Sequence, residues 1–317
     1  METDEEKEMI HRSETEVQRK IPMNRRDLVR ISSAALLWRA SSSLAGAAAD
    51  DAKKRQVLYF TRSAGVEHAV VKRSGAGPSL SEKNLIEVGR VSGFEVKCTN
   101  DGRVFDGDLS QYDAIAFYTS GDLTRPAKDG SPPMTPAGRR KLLDAISSGK
   151  GFVGFHSAAD TFHSKGPRDA SQAEVDPYIA MLGGEFLAHG AIQEASLLAS
   201  SRFMSRSATM PSEAISFTDE WSTFKNYAHD LQVIFVQETR YMIGDAYRRP
   251  DYPSTWARMH GKGRVFYTAL GHCEDVWTNP FFHAFARSGL EWVMGEIDFD
   301  MTPNVDKVTP QANQLKA

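Results

Sequence analysis

The sequence predicts an α/β protein with a mostly parallel sheet covered by helices, and two observations carry that expectation. From Gln56 onward, short apolar runs alternate with amphipathic stretches, the pattern of strands buried on both faces beneath packed helices. The amphipathic stretches also open on helix-capping side chains and close on glycines, so their limits are marked at both ends.

Taken in order, Gln56–Thr61 (QVLYFT) reads as a buried first strand. Ser79-Leu80-Ser81-Glu82 is a capping box for a helix running toward Gly93, with Leu85, Ile86 and Val91 among its apolar positions. Phe94–Thr99 and Asp113–Thr119 follow as strands. Thr135-Pro136 starts a second helix, which carries Leu142, Leu143 and Ile146 and stops at Gly149. Gly151–His156 (GFVGFH) is the next strand, and Asp176-Pro177 opens a helix closing at Gly183-Gly184. Gln232–Val236 then precedes Ser254–His260 and Arg264–Leu270, which read as a hairpin turning across Gly261-Lys262-Gly263. Asn279-Pro280 caps a last helix ending near Gly295, and the tail after Asp300 is polar, with loose packing expected. Right-handed crossovers in this order put ligand sites at the carboxyl ends of the strands.

With a formal net charge of −3 and a pI near 6.3 over 317 residues, the chain has no broad basic field to hold a phosphate backbone, which argues against nucleic acid as a partner. Cys98 and Cys273 are the only cysteines. They exclude a disulfide framework and match no zinc-site spacing, while a single bridge between them stays open.

Residues 1–22 are polar, lack apolar periodicity and are expected to be a disordered extension. From Met23, Arg25-Arg26 precede a Ser/Ala-rich stretch ending in Ala45-Gly46-Ala47 and Ala47-Ala48-Ala49. Residues 23–49 therefore have the layout of a twin-arginine export signal, which implies a periplasmic protein. The alternative is an N-terminal arm on a cytoplasmic protein. Arg39 interrupts the apolar run, leaving it too short for a stable membrane anchor.

Four stretches of the body resemble the trehalose-utilisation (ThuA-like) family: Gly149–Phe162 (GKGFVGFHSAADTF), Asp176–Gly190 (DPYIAMLGGEFLAHG), Phe217–Phe224 (FTDEWSTF) and Pro253–Trp277 (PSTWARMHGKGRVFYTALGHCEDVW). The resemblance spans most of residues 56–296. It implies a flavodoxin-like scaffold shared with class I glutamine amidotransferases and a role in metabolism of trehalose and related disaccharides, including their keto derivatives. The chain departs from the family pattern between Gly190 and Phe217, where a histidine-proline dipeptide is missing and Ala191 follows the glycine.

Within these stretches His156 is the first candidate, because it ends a buried strand where ligands bind and an imidazole can act as a base or a metal ligand. Its alternative is a structural histidine. Asp160 either orients His156 or holds a sugar hydroxyl, or else caps a short helix. His189 and His272, each beside a glycine, are expected to converge on His156. Glu220, flanked by aromatic residues, is expected to have a raised pKa and act as acid or base, unless it lies on a solvent-facing loop. Trp221, Trp256 and Trp277 either stack on a sugar face or fill the core. His163 reads as an exposed loop residue, and Glu274 and Asp275 as lower-ranked loop acids.

The corner Gly154-Phe155-His156-Ser157-Ala158 holds no cysteine, which disfavours a cysteine-dependent glutaminase. Ser157 lacks the glycine pattern of a GxSxG elbow. Three histidines and a carboxylate can bind a divalent metal, but no interval forms a local motif, so only long-range convergence would build that site. The expected function is an enzyme using acid-base chemistry on a small carbohydrate. A non-catalytic sugar-binding domain and an amidotransferase-like hydrolase are the alternatives.

Overall fold

The computed structural model describes residues 54–204 and 214–316. The expected disordered extension and export signal, residues 1–49, lie outside them.

Strand β1 (Gln56–Phe60) leads over helix α1 (Leu80–Ser92) to β2 (Glu95–Thr99). Strand β3 (Ala114–Phe117), helix α2 (Pro136–Ser147) and strand β4 (Gly151–Phe155) follow. After α3 (Pro177–Leu182) come β5 (Glu185–His189), β6 (Gln193–Ala199), β7 (Ala214–Asp219), β8 (Ser222–Lys225) and β9 (Gln232–Gln237). The hairpin β10 (Tyr252–His260) and β11 (Gly263–Thr268) precedes helices α4 (Glu274–Thr278), α5 (Pro280–Val293) and α6 (Val305–Val308). Among the described residues no helix is long and apolar enough to cross a membrane.

The main sheet runs β2-β1-β3-β4-β11-β10-β9-β6-β7, while β5 and β8 form a separate antiparallel ribbon. The pairs from β2 through β11 are parallel, so this half has the 2-1-3-4-5 order of flavodoxin-like proteins. Strand alternation explains why both faces are covered. Val57 and Tyr59 of β1 and Val153 and Phe155 of β4 point into one core with Leu85, Val88, Phe285 and Leu290 of α1 and α5. Leu58, Phe60 and Phe152 point into the other, with Leu142, Ile146, Tyr178 and Leu182 of α2 and α3.

The predicted caps form. Ser79 Oγ accepts from Glu82 N while Glu82 Oε2 accepts from Ser79 N, and Thr135, Asp176 and Asn279 cap α2, α3 and α5. Three details differ from the sequence reading. In α1 the buried stripe is Leu85 and Val88, whereas Ile86 and Val91 face solvent, because the box seats Glu82 inward against Arg73 and Thr61. Strands β5 to β8 were not predicted as a set. The segment after Asp300 is docked rather than loose: Val305 and Ala312 are buried, and Arg249 Nη2 donates to Ala312 O.

Candidate functional site

The tight corner after β4 presents His156. A Cβ on Gly154 would come within 2.9 Å of the Tyr267 ring and 3.2 Å of Ala158 Cβ, so small side chains on both sides of the apex permit the turn. His156 occupies that apex at φ +42°, a left-handed conformation that a non-glycine residue holds only when its surroundings enforce it. Tyr267 donates to the His156 carbonyl at 2.6 Å. On the ring, Nδ1 donates to the Ala269 carbonyl at 2.8 Å. That bond fixes the ring and turns Nε2 away from the Ala269 carbonyl, toward Glu220.

Three more side chains reach the same place from distant parts of the chain. His68 lies in the loop after β1, His272 in the loop after β11, and Glu220 in the short link between β7 and β8. One ligand atom from each of His68, His156, His272 and Glu220 lies within 4.8 Å of the others. The imidazoles stand nearly edge to face, with centroids 4.9 to 5.3 Å apart and interplanar angles of 72° to 89°. Glu220 Oε2 is 3.7 Å from His156 Nε2 and 3.5 Å from His272 Nδ1. Strand order reverses between β1 and β3, with β4 next to β3, and that switch point is where this topology binds ligands.

The His272 loop is held by a buried carboxylate. Asp219 accepts from the backbone N–H of Gly271 and of Cys273, both at 2.8 Å. The Gly271 carbonyl in turn accepts from Tyr118 Oη and Trp277 Nε1. Gly271 sits at φ +121°, a turn that needs glycine.

Charge is distributed unevenly across the cluster. Burial pushes Glu220 up, but the adjacent His156 and His272 outweigh it and hold the carboxyl well below its usual range. The raised value expected from its aromatic neighbours is therefore corrected: Glu220 stays a carboxylate and is no general acid near neutral pH. His272 is raised by Glu220. His68 is lowered to about 3, by burial and then by repulsion from His156 and His272, so it is a neutral imidazole.

The other candidates fall differently. His189 is exposed at the rim, with Nδ1 3.3 Å from the second oxygen of Glu220, so it joins the group from outside. Asp160 does not orient His156, because its carboxylate accepts from His163 Nε2 at 3.0 Å and Arg168 Nη2 at 2.9 Å. His163 is partly buried rather than an exposed loop residue, and its Nδ1 lies 3.2 Å from Glu185. Trp221, Trp256 and Trp277 are at most 1% exposed, and each indole N–H donates to a backbone carbonyl. They fill the core and offer no face to a sugar. Ser157 Oγ is buried without a hydrogen-bond partner, so no base activates it. Both cysteines are free, and burial raises Cys98 to about 12 and, with Asp219, Cys273 to about 11, so neither is a thiolate nucleophile. Glu274 and Asp275 begin α4 and face solvent.

Behind the site, Glu185 and Lys225 form an ion pair at 3.7 Å, each side chain 1% exposed. Burial raises the Glu185 pKa, but bonds from His163, Ser164 and Asn226 and the charge of Lys225 bring it down from 4.5 to about 2. A depressed carboxylate stabilises the fold above its unfolded pKa and loses that contribution as pH falls through the folded one. Glu185→Gln is therefore expected to cost about 3 kcal/mol at pH 7, since it removes the carboxylate paired with the buried lysine. It should also flatten the fall in stability between about pH 4.5 and 2. Urea denaturation across that range checks both, and parallel profiles for the two proteins would refute the assignment.

Fold and site together define a flavodoxin-like α/β protein with a cluster of three histidines and one carboxylate. The chain belongs to the ThuA family, described as trehalose utilisation, whose model matches residues 56–293. That membership supports a carbohydrate-related role. Among solved structures it is similar to a ThuA-like protein from Bacteroides uniformis, with 18% identity, a TM-score of 0.53, and 78% of this chain and 95% of that chain covered. A ThuA-like protein from Parabacteroides merdae is similar at 16% identity and a TM-score of 0.53, covering 77% of this chain and 91% of that one. At these identities the likeness shows the shared fold. No curated protein sequence matches the chain.

Proposed function

We propose that the protein is an enzyme acting on a carbohydrate, a keto-disaccharide or keto-glycoside, at the centre formed by His68, His156, His272 and Glu220. The observation that carries this reading is the convergence of these four side chains from four separate segments. A ketone on a sugar ring acidifies the neighbouring C–H, so a centre that polarises the carbonyl oxygen makes proton removal feasible. In this reading His189, exposed beside Glu220, takes that proton as the base and passes it to solvent. Isomerisation or elimination fits better than direct glycoside hydrolysis, which needs one protonated carboxyl as general acid, and Glu220 is held ionised. The twin-arginine layout of residues 23–49 supports placing this chemistry in the periplasm.

The test is product analysis after incubating the purified protein with trehalose, other disaccharides and their 3-keto forms. Conversion of a keto form, with the parent sugar untouched, is the expected result. Absence of both conversion and thermal shift across the whole panel would remove the reading.

A further inference from the structure

The structure assigns a metal site to this cluster: we infer that His68, His156, His272 and Glu220 bind one divalent first-row transition-metal ion. This deepens the carbohydrate reading and rests on it only for what the ion does, not for whether it binds.

The first argument is unmet bonding. The Nδ1 atom of His68 is buried with no hydrogen-bond partner, and the buried Nδ1 of His272 has only Glu220 Oε2 near it, at 3.5 Å. Buried polar atoms are nearly always paired, and here one unpaired and one long-range ring nitrogen belong to the same four-residue group as a carboxylate. A cation shared between them satisfies all three groups at once, which no single proton can do.

The second argument is pre-orientation. Metal-bound histidines typically donate their other ring N–H to a carbonyl or carboxylate, which fixes the tautomer and aims the free nitrogen. His156 has that arrangement through Ala269. The loop that carries His272 is fixed through its backbone, by Asp219 and by Tyr118 and Trp277 on the Gly271 carbonyl. Strain at the His156 apex fits a residue held for binding rather than for packing.

Donor chemistry then selects the ion. Three imidazoles and one carboxylate suit zinc, manganese, iron, cobalt or nickel, whereas magnesium and calcium require mostly oxygen ligands and copper(I) prefers sulfur. Two ligands about 2.1 Å from an ion lie at most about 4.2 Å apart. Neighbouring donors of a tetrahedral site lie about 3.4 Å apart, so the observed spread of up to 4.8 Å closes with movements of roughly 0.7 Å in each of two facing side chains. Four protein ligands leave room for a fifth on the side of His189, where the cluster meets solvent. There a bound ion would polarise a carbonyl oxygen as a Lewis acid.

The experiment uses the full chain, stripped with chelator, dialysed and titrated with Zn²⁺ and separately with Mn²⁺ by calorimetry, with thermal unfolding followed in parallel. One equivalent should bind per chain and raise Tm by about 5 °C at saturating ion. His68→Ala and Glu220→Gln should each weaken binding by at least about 100-fold. His229→Ala, which alters an exposed histidine paired with Asp306 outside the cluster, should leave affinity unchanged. Failure of the unmodified chain to bind a stoichiometric ion overturns the assignment, whatever the variants do. So does wild-type affinity in both cluster variants. Metal binding without sugar turnover would sink only the carbohydrate reading, and turnover that persists in chelator with no ion bound would sink only this one.

Discussion

Replacing His156 with asparagine is expected to lower kcat/KM on a 3-keto-disaccharide by at least about 10³-fold while Tm moves by only a few degrees. Asparagine is chosen because the backbone decides how the result is read. At φ +42° an alanine would keep the left-handed strain and remove the side chain, mixing two effects. Asparagine tolerates that region better than most residues and is close in size to the lost ring. The Ala269 carbonyl, which accepts from His156 Nδ1, can still be met by the asparagine amide. What disappears is the nitrogen 3.7 Å from Glu220 Oε2. Steady-state kinetics beside thermal denaturation check the outcome. Turnover within tenfold of the unsubstituted protein would mean that the cluster is not the reacting centre. Weakened sugar binding with no turnover in either protein would favour the binding-domain alternative.

The framework was readable because its signals are local. The starts of α1, α2, α3 and α5 each rest on a side chain two or three residues from the N–H it satisfies, and the buried strands are runs of apolar residues in sequence. The edge and ribbon strands β5 to β8 were not readable in the same way. EFLAH and QEASLLA mix polar and apolar side chains, and their burial is set by neighbours far along the chain. The site divides similarly. His156, Glu220 and His272 were found because they lie in motif-bearing stretches next to recognisable strands. His68 was missed because it follows β1 by eight residues in a loop with no periodicity, although the strand-end rule used for β4 applies equally to β1. The error on Glu220 has a physical cause as well. Burial does raise the carboxyl, but two imidazoles arriving from the ends of other strands outweigh it, and nothing in the local sequence announces their arrival.

Asp219 was also overlooked as a functional residue, and its substitution gives the second large effect. It is fully buried and each of its oxygens accepts one backbone N–H of the His272 loop. Asparagine has a single acceptor oxygen, so Asp219→Asn turns one of the two bonds into a donor facing a donor. Losing a charged hydrogen bond and orphaning a buried N–H is expected to cost about 3 kcal/mol, or roughly 10 °C in Tm for a domain of this size. Turnover should fall about 100-fold, because a shift near 1 Å in His272 suffices for a loss of that order. Temperature separates positioning from stability. Well below its Tm the variant is fully folded, so a merely destabilised enzyme would recover normal kcat there, whereas a displaced His272 would leave kcat depressed at every temperature. Affinity for Zn²⁺ should fall in step with kcat, and unchanged zinc affinity together with normal turnover in the cold would show that Asp219 serves the fold alone.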